Sequence, residues 1–285
     1  MPSPAPPDHW STARPFEFSG VRLLDTDLDS AVRSIEDAAQ AGHSQGLHLC
    51  NAYTLTLAAR RGDYRAMLGH DHAVNLPDGT PVAWYYQLAL RRPAKGPVRG
   101  PSLMDATLGR TTLRHFLLGG TEEVLADLDR VIAERYPEVN VVGHYAPPFA
   151  EPGPEEIDGF ARLINESGAQ VVWVGLGTPR QDRVIAALVG RVDAVLVGVG
   201  AAFDFLSGHK AEAPAMLHRT GLEWTYRLAH EPRRLWRRYL IGNTLFIVAA
   251  VRQLPAARRT ADLSVSGATS TTEANGDVPF PRVFV

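Results

Sequence analysis

From residue 47 to residue 200, short and almost uninterrupted apolar runs alternate with longer segments whose apolar residues recur every three or four positions. The runs are LHLC (47–50), HAVNL (72–76), HFLLG (115–119), VNVVG (139–143), VVWVGLG (171–177) and AVLVGVG (194–200). They have strand length and carry many β-branched residues. Most are followed by a segment of helical period, such as TEEVLADLDRVIAERY (121–136) or PEEIDGFARLINESG (154–168). Thr121 ahead of Glu123 and Val124 supplies a helix start. Strands apolar on both sides fit a sheet covered by helices on both faces. The pattern predicts an α/β fold with a mostly parallel sheet. Beyond residue 203 the character changes, and the chain to about 253 reads as helical, rich in Arg and Trp, like an added C-terminal segment.

The two ends break the pattern. Residues 1 to about 16 are proline-rich and are expected to be disordered. So is the stretch from about 258 to 285, which holds the polar tract SVSGATSTTEANGD.

Composition narrows the classes. A chain of 285 residues, 45% hydrophobic, allows one large or two small domains around a substantial core. A formal charge of −2 argues against general nucleic-acid binding, which depends on neutralising many phosphates. Cys50 is the one cysteine, so no internal disulfide forms and a reducing compartment is expected. The start, MPSPAPPDHW, has neither the positive nor the apolar region of a secretory signal. The run LFIVAAV (245–251) falls far short of the roughly 20 residues a spanning helix needs. The expectation is a cytosolic protein, or one that lies on a membrane without crossing it.

Charge is nevertheless uneven. HEPRRLWRRYL (230–240) places four arginines within six positions. On a helical wheel Arg233, Arg234, Arg237 and Arg238 fall within about 140° of one another, and Leu235, Trp236, Tyr239 and Leu240 take the other side. Pro232 stands where a helix would start. This is a basic amphipathic helix, suited to an anionic surface; a core-facing helix with a charged exterior has the same pattern.

In open parallel sheets ligands sit beyond the carboxyl ends of the strands. The residues there are Asn51; Asp78, Gly79 and Thr80; Gly119, Gly120 and Thr121; Thr178 and Gln181; Phe203 and Asp204. GLGTPRQD (175–182) follows a strand and opens a helix, and its Gly175 and Gly177 let backbone approach a phosphate. GVGAAF (198–203), with Gly200, has the same form, and both also serve as plain strand-to-helix turns. Neither completes a dinucleotide fingerprint, and no Walker sequence occurs, which disfavours a nucleotide-dependent oxidoreductase. NLPDGTP (75–81) reads as a turn through Pro-Asp-Gly. Its Asp78, at a strand's carboxyl end, could equally take a proton from an acceptor hydroxyl. His48, His72, His115 and His144 lack ligand spacing, so no metal site is expected.

The order of these pieces is more specific than any one of them. PDG, FLLGGTEEVL, VVWVGLGTPRQD, VGVGAAFDFLSGHKAEAPAML and GLEWTYRLAHEPRRLWRRYLIGN follow one another as in the WecG/TagA/CpsF family of glycosyltransferases, which the chain resembles over about residues 20 to 252. The resemblance implies a Rossmann-like α/β core with a C-terminal helical appendage. The implied division is a disordered segment (1–16), a glycosyltransferase core (17–205), the appendage (206–257) and a disordered tail (258–285). The chain departs from the family's pattern at Leu49-Cys50-Asn51, where Thr-x-Asn is frequent. It also departs at Ser102, in place of an acid, at Glu212, in place of an arginine, and at Asp182, in place of a glutamate.

The resemblance further implies transfer of a sugar from a UDP-sugar to a polyprenyl-diphosphate-linked saccharide at the cytoplasmic membrane face, with inversion and without a required metal or other cofactor. N-acetylmannosamine, its uronate or a related hexose would be the donor sugar. The aspartate of the family's P-D-G, Asp78 here, is its proposed base, and the glutamine matching Gln181 is implicated in holding the donor. The donor site would then comprise Asn51, Gly79, Thr80, Gly120, Gly175, Gly177, Thr178, Gln181, Gly200, Phe203 and Asp204. Arg227, Arg233, Arg234, Arg237 and Arg238 would meet a diphosphate or the membrane surface, since guanidinium forks suit phosphate. Two alternatives stay open: a tailoring enzyme with a soluble, small-molecule acceptor, and a non-catalytic nucleotide-sugar-binding module. Homo-oligomerisation is also left open.

Overall fold

The computed structural model describes residues 10–213, 223–236 and 242–270. Six parallel strands form the main sheet: β3 (Gln45–Cys50), β4 (Ala73–Pro77), β5 (Arg114–Gly119), β6 (Asn140–Tyr145), β7 (Val171–Gly175) and β8 (Val195–Gly198). Their order is β4-β3-β8-β7-β5-β6. All six apolar runs are strands, with ends shifted by up to a few residues; the final glycines of VVWVGLG and GVG fall in the loops beyond β7 and β8. Ahead of the sheet stands an antiparallel hairpin, β1 (Arg14–Phe18) and β2 (Val21–Asp25).

Strand alternation sorts the helices onto two faces. Leu47, Leu49, Trp173, Val195 and Val197 point into one core with α1 (Leu28–Gln40), α5 (Gly100–Arg110), α6 (Glu122–Arg135) and the short α9 (Ala202–Leu206). Val172, Val174 and Leu196 point into the opposite core with α7 (Pro154–Ser167) and α8 (Arg180–Leu188). A third core joins the hairpin to α2 (Ala52–Arg60), α3 (Gly62–Leu68), α4 (Thr80–Leu90) and the C-terminal α12 (Gly242–Ser270). Between α9 and α12 lie α10 (Glu223–His230) and α11 (Pro232–Trp236). The Rossmann-like arrangement expected from the sequence is present.

The start signals act locally as their chemistry dictates. Thr121 caps α6 by accepting from the Val124 N–H, and Asp27 caps α1 by accepting from the Ser30 N–H at 2.7 Å.

Two expectations about the ends need correction. The segment 1–16 is ordered from residue 10: Trp10 is fully buried and its indole N–H donates to Gln45 Oε1 at 3.1 Å, which anchors the chain ahead of β1. Residues 1–9 lie outside the described residues. At the other end α12 runs through Pro255 to Ser270, past the start of the expected tail at 258. Docking of its first turns supplies the costly nucleus, after which each further residue except Pro255, which has no N–H, adds one hydrogen bond. The C-terminal helix expected beyond the core is present as α12, and it packs on the core. Phe246 is 2% exposed and stacks on Phe18 at 4.8 Å.

Candidate active site

β3 and β7 hand the chain to helices on one face, while β8 hands it to α9 on the other. Their carboxyl ends therefore open a crevice, as strand ends do where successive crossovers diverge. A pocket of about 110 Å³ occupies it, lined by Asn51 after β3, Asp78 after β4, Gly177, Thr178 and Gln181 after β7, and Gly198 to Ala202 at the end of β8. Arg99, Gly100 and Pro101 at the start of α5 close the remaining side.

Asp78 is held at the rim by its backbone. Its N–H donates to the Cys50 carbonyl at 3.0 Å, fastening the ends of β3 and β4 together. Gly79 then takes φ 81°, a conformation that costs an L side chain dearly, and Thr80 opens α4. Asp78 is half-buried, and it is the one carboxylate among the described lining residues. Asn51 turns its amide oxygen to its own helix, accepting from the N–H groups of Tyr53 at 3.0 Å and Thr54 at 3.2 Å.

Gln181 is 3% exposed, and its Oε1 accepts from Gly177 N–H at 3.1 Å and from Gly200 N–H at 3.0 Å. One oxygen thus clamps the two glycine loops on either side of the pocket. A Cβ on Gly198 would stand 2.9 Å from the Gln181 amide nitrogen, so glycine is what lets the side chain through. Behind it, Asp182 accepts from Tyr64 OH at 2.7 Å and contacts His48 Nδ1 at 3.0 Å, all three buried. That network ties α8 to β3 and α3. Burial first, then the Asp182 carboxylate, pushes the Tyr64 hydroxyl far above its usual range, so it remains a donor. Burial likewise raises the Cys50 thiol, with Asp182 and Asp78 adding to the effect.

The other expected donor residues are placed differently. Gly120 and Gly175 make room for the Phe203 ring: a Cβ on Gly175 would lie 2.7 Å from it. Phe203 itself is 2% exposed and belongs to the core, behind the pocket floor. Asp204 binds Lys210 Nζ at 2.8 Å, and Lys210 also reaches Glu231 at 3.6 Å, so this trio joins α9 to the start of α11. α11 begins at Pro232 as the wheel implied, with Arg233 and Trp236 exposed. Arg227 and Arg234 lie in α10 and α11, but their side chains, and the whole of Arg237 and Arg238, lie outside the described residues.

Arg99 and its neighbours went unpredicted because they follow a loop between helices, where the strand-end rule does not look. Gly100 was the available signal. Its Cβ would meet the Val199 carbonyl at 2.7 Å, marking a close backbone crossing. Beyond Pro101 and Phe205, which line both, a second and larger cleft of about 520 Å³ runs over α5, between Ser102, Asp105, Tyr136 and Glu212.

A buried clamp, a carboxylate at a strand end and a crevice between diverging crossovers recur here in the order in which the sequence motifs occur. The family model of the glycosyl transferase WecG/TagA/CpsF family matches residues 16–260. The chain belongs to that family of glycosyltransferases.

Proposed function

We propose that the protein transfers a hexose-type sugar from a UDP-sugar to an acceptor hydroxyl, with inversion, and that Asp78 is the base. The observation that carries this reading is the position of Asp78 at the rim of the strand-end pocket, beside the Gln181 clamp. A carboxylate there takes the proton of the attacking hydroxyl while the anomeric carbon is approached from the side opposite the departing UDP. Protonated Asp78 then releases the proton to solvent. The acceptor we favour is a polyprenyl-diphosphate-linked saccharide of cell-surface polysaccharide synthesis, met at the cytoplasmic membrane surface. No described helix is long and apolar enough to cross a membrane. Trp84 and Leu88 on α4, and Ile247, Val248 and Val251 on α12, are exposed on two helices that share a core. Those five side chains support docking on a lipid surface.

The test is turnover of UDP-sugars by Asp78→Asn. The variant keeps the shape and removes the proton acceptor, so turnover falls roughly 10²-fold or more while UDP affinity holds. Turnover equal to that of the unaltered protein would remove Asp78 from the chemistry.

A further inference from the structure

The larger cleft, of about 520 Å³, opens directly beside the strand-end pocket, because Pro101 and Phe205 line both cavities. It has the size of a ligand site, whereas the strand-end pocket, at about 110 Å³, falls short of the roughly 300 Å³ at which such sites begin. Two substrates have to meet at Asp78, so most of at least one of them lies outside the smaller pocket. Charge decides which part of a substrate the cleft suits. Among its described lining residues two cations, Arg110 and Arg135, are matched by two carboxylates, Asp105 and Glu212. Both cations already rest on an acid: Arg135 NH2 donates to Asp105 Oδ1 at 2.8 Å, and Arg110 NH1 donates to Asp29 Oδ1. A diphosphate or a uronate would therefore meet like charge with no surplus of positive charge to offset it.

Hydroxyl groups fit this lining, since each one donates a hydrogen bond and also accepts. Asp105 is fixed through Oδ1, which accepts from the Tyr136 hydroxyl as well as from Arg135. Both donors meet that one oxygen, which leaves the second oxygen of a half-exposed carboxylate facing the cleft. Gly109, four residues on and on the same face of α5, makes room for the Tyr136 ring, which a Cβ would approach to 3.2 Å. Arg110 and Arg135 are also about half exposed, so donors flank the Asp105 acceptor. Leu28, Ala106 and Leu206 add apolar surface for the C–H faces of a sugar ring.

From this we infer that the larger cleft holds the saccharide of the acceptor, an uncharged, hydroxyl-rich ligand for which Asp105 accepts hydrogen bonds. Its attacking hydroxyl reaches Asp78 past Pro101 and Phe205. The inference rests on the UDP-sugar reading above and deepens it, by placing the acceptor's sugar apart from any diphosphate that the acceptor carries.

Saturation-transfer NMR on the full chain, with chitobiose and cellobiose as probes and the donor site filled with UDP, tests it. UDP binding is measured first, by calorimetry. Saturation transfer to at least one disaccharide is expected, and added inorganic pyrophosphate leaves it unchanged. Asp105→Ala weakens disaccharide binding about tenfold, and Arg110→Gln weakens it less. Both substituted side chains are half exposed, and an unchanged UDP affinity shows that each variant is folded. The inference is overturned if UDP binds and neither disaccharide does, if both variants bind the disaccharide as the unaltered chain does, or if pyrophosphate displaces it. Displacement by UDP-glucose in place of UDP would give the cleft to the donor's own sugar, and would also overturn the inference. Failure of the unaltered chain to bind UDP would instead overturn the UDP-sugar reading, and the acceptor assignment with it.

Discussion

Oε1 of Gln181 accepts two backbone N–H groups from loops that are 23 residues apart in sequence and adjacent in space. Truncation to Ala leaves both donors without their acceptor beside a small cavity. Gln181→Ala therefore lowers stability by about 1–3 kcal/mol and raises the donor KM about tenfold through loosened loops. A raised KM at unchanged stability, measured by denaturant unfolding, would place the amide on the donor instead. His115 is the other telling residue. It is fully buried, accepts the Trp173 indole N–H at Nδ1 at 3.2 Å, and its Nε2 has no partner among the described residues. Burial lowers its pKa to about 4 from the ordinary 6.5. The unfolded chain therefore takes up the proton first. The resulting stability is fully present above pH 6.5 and falls as pH drops from there to about 4, by on the order of 3 kcal/mol. His115→Phe should show a shallower loss over that window, and an identical slope would show that the ring does not titrate there.

At the scale of elements, the hairpin and α12 depend on each other despite lying at opposite ends of the chain. Ser19 N–H donates to Gln253 Oε1 at 2.6 Å, and the Gln253 amide donates back to Ser19 Oγ at 2.8 Å. Phe18 fills the space between Tyr85 and Phe246. An appendage that merely rested on the core would tolerate loss of one contact. A helix built into it would not, and Phe246→Ala is predicted to cost about 3 kcal/mol in global unfolding. A cost below about 1 kcal/mol, typical of a surface substitution, would mean that α12 detaches in solution. The hairpin was invisible in the sequence because its alternating strands are short and begin inside a proline-rich stretch. Five of the six parallel strands are buried along almost their whole length, which kept their runs mostly apolar and so legible, while β6 is half-exposed and was legible from its β-branched VNVV run.

Across the whole molecule, apolar exposure gathers where α4 and α12 pack together, while α11 presents Arg233 and Trp236. If these surfaces meet a lipid bilayer, they contribute by different physics and respond differently to salt. Leu88→Gln with Val251→Gln should weaken binding to vesicles containing anionic lipid at any ionic strength, because it removes buried apolar area. Arg233→Gln with Arg234→Gln should weaken binding by about 1 kcal/mol per charge at low salt and have little effect at high salt. Unchanged sedimentation of both variants with vesicles would refute docking through these faces.

The sequence by itself determined the sheet, its helices and the motif order that identifies the family, because strand burial, helical period and glycine turns are written in neighbouring residues. It also brought Asp78, Asn51, Thr178 and Gln181 to notice, since each follows a strand. Only the tertiary structure decided what those residues touch. Gln181 became a clamp between two loops, Phe203 and its glycines became core, and Asp204 was drawn into the Lys210 and Glu231 trio. Arg99 entered the pocket because its neighbours fix the segment: Val98 N–H donates to the Pro77 carbonyl, and Gly100 crosses closely over Val199. Local pattern reports which groups are near a strand end. Which of them remain available to a ligand depends on partners that the fold brings from distant parts of the chain.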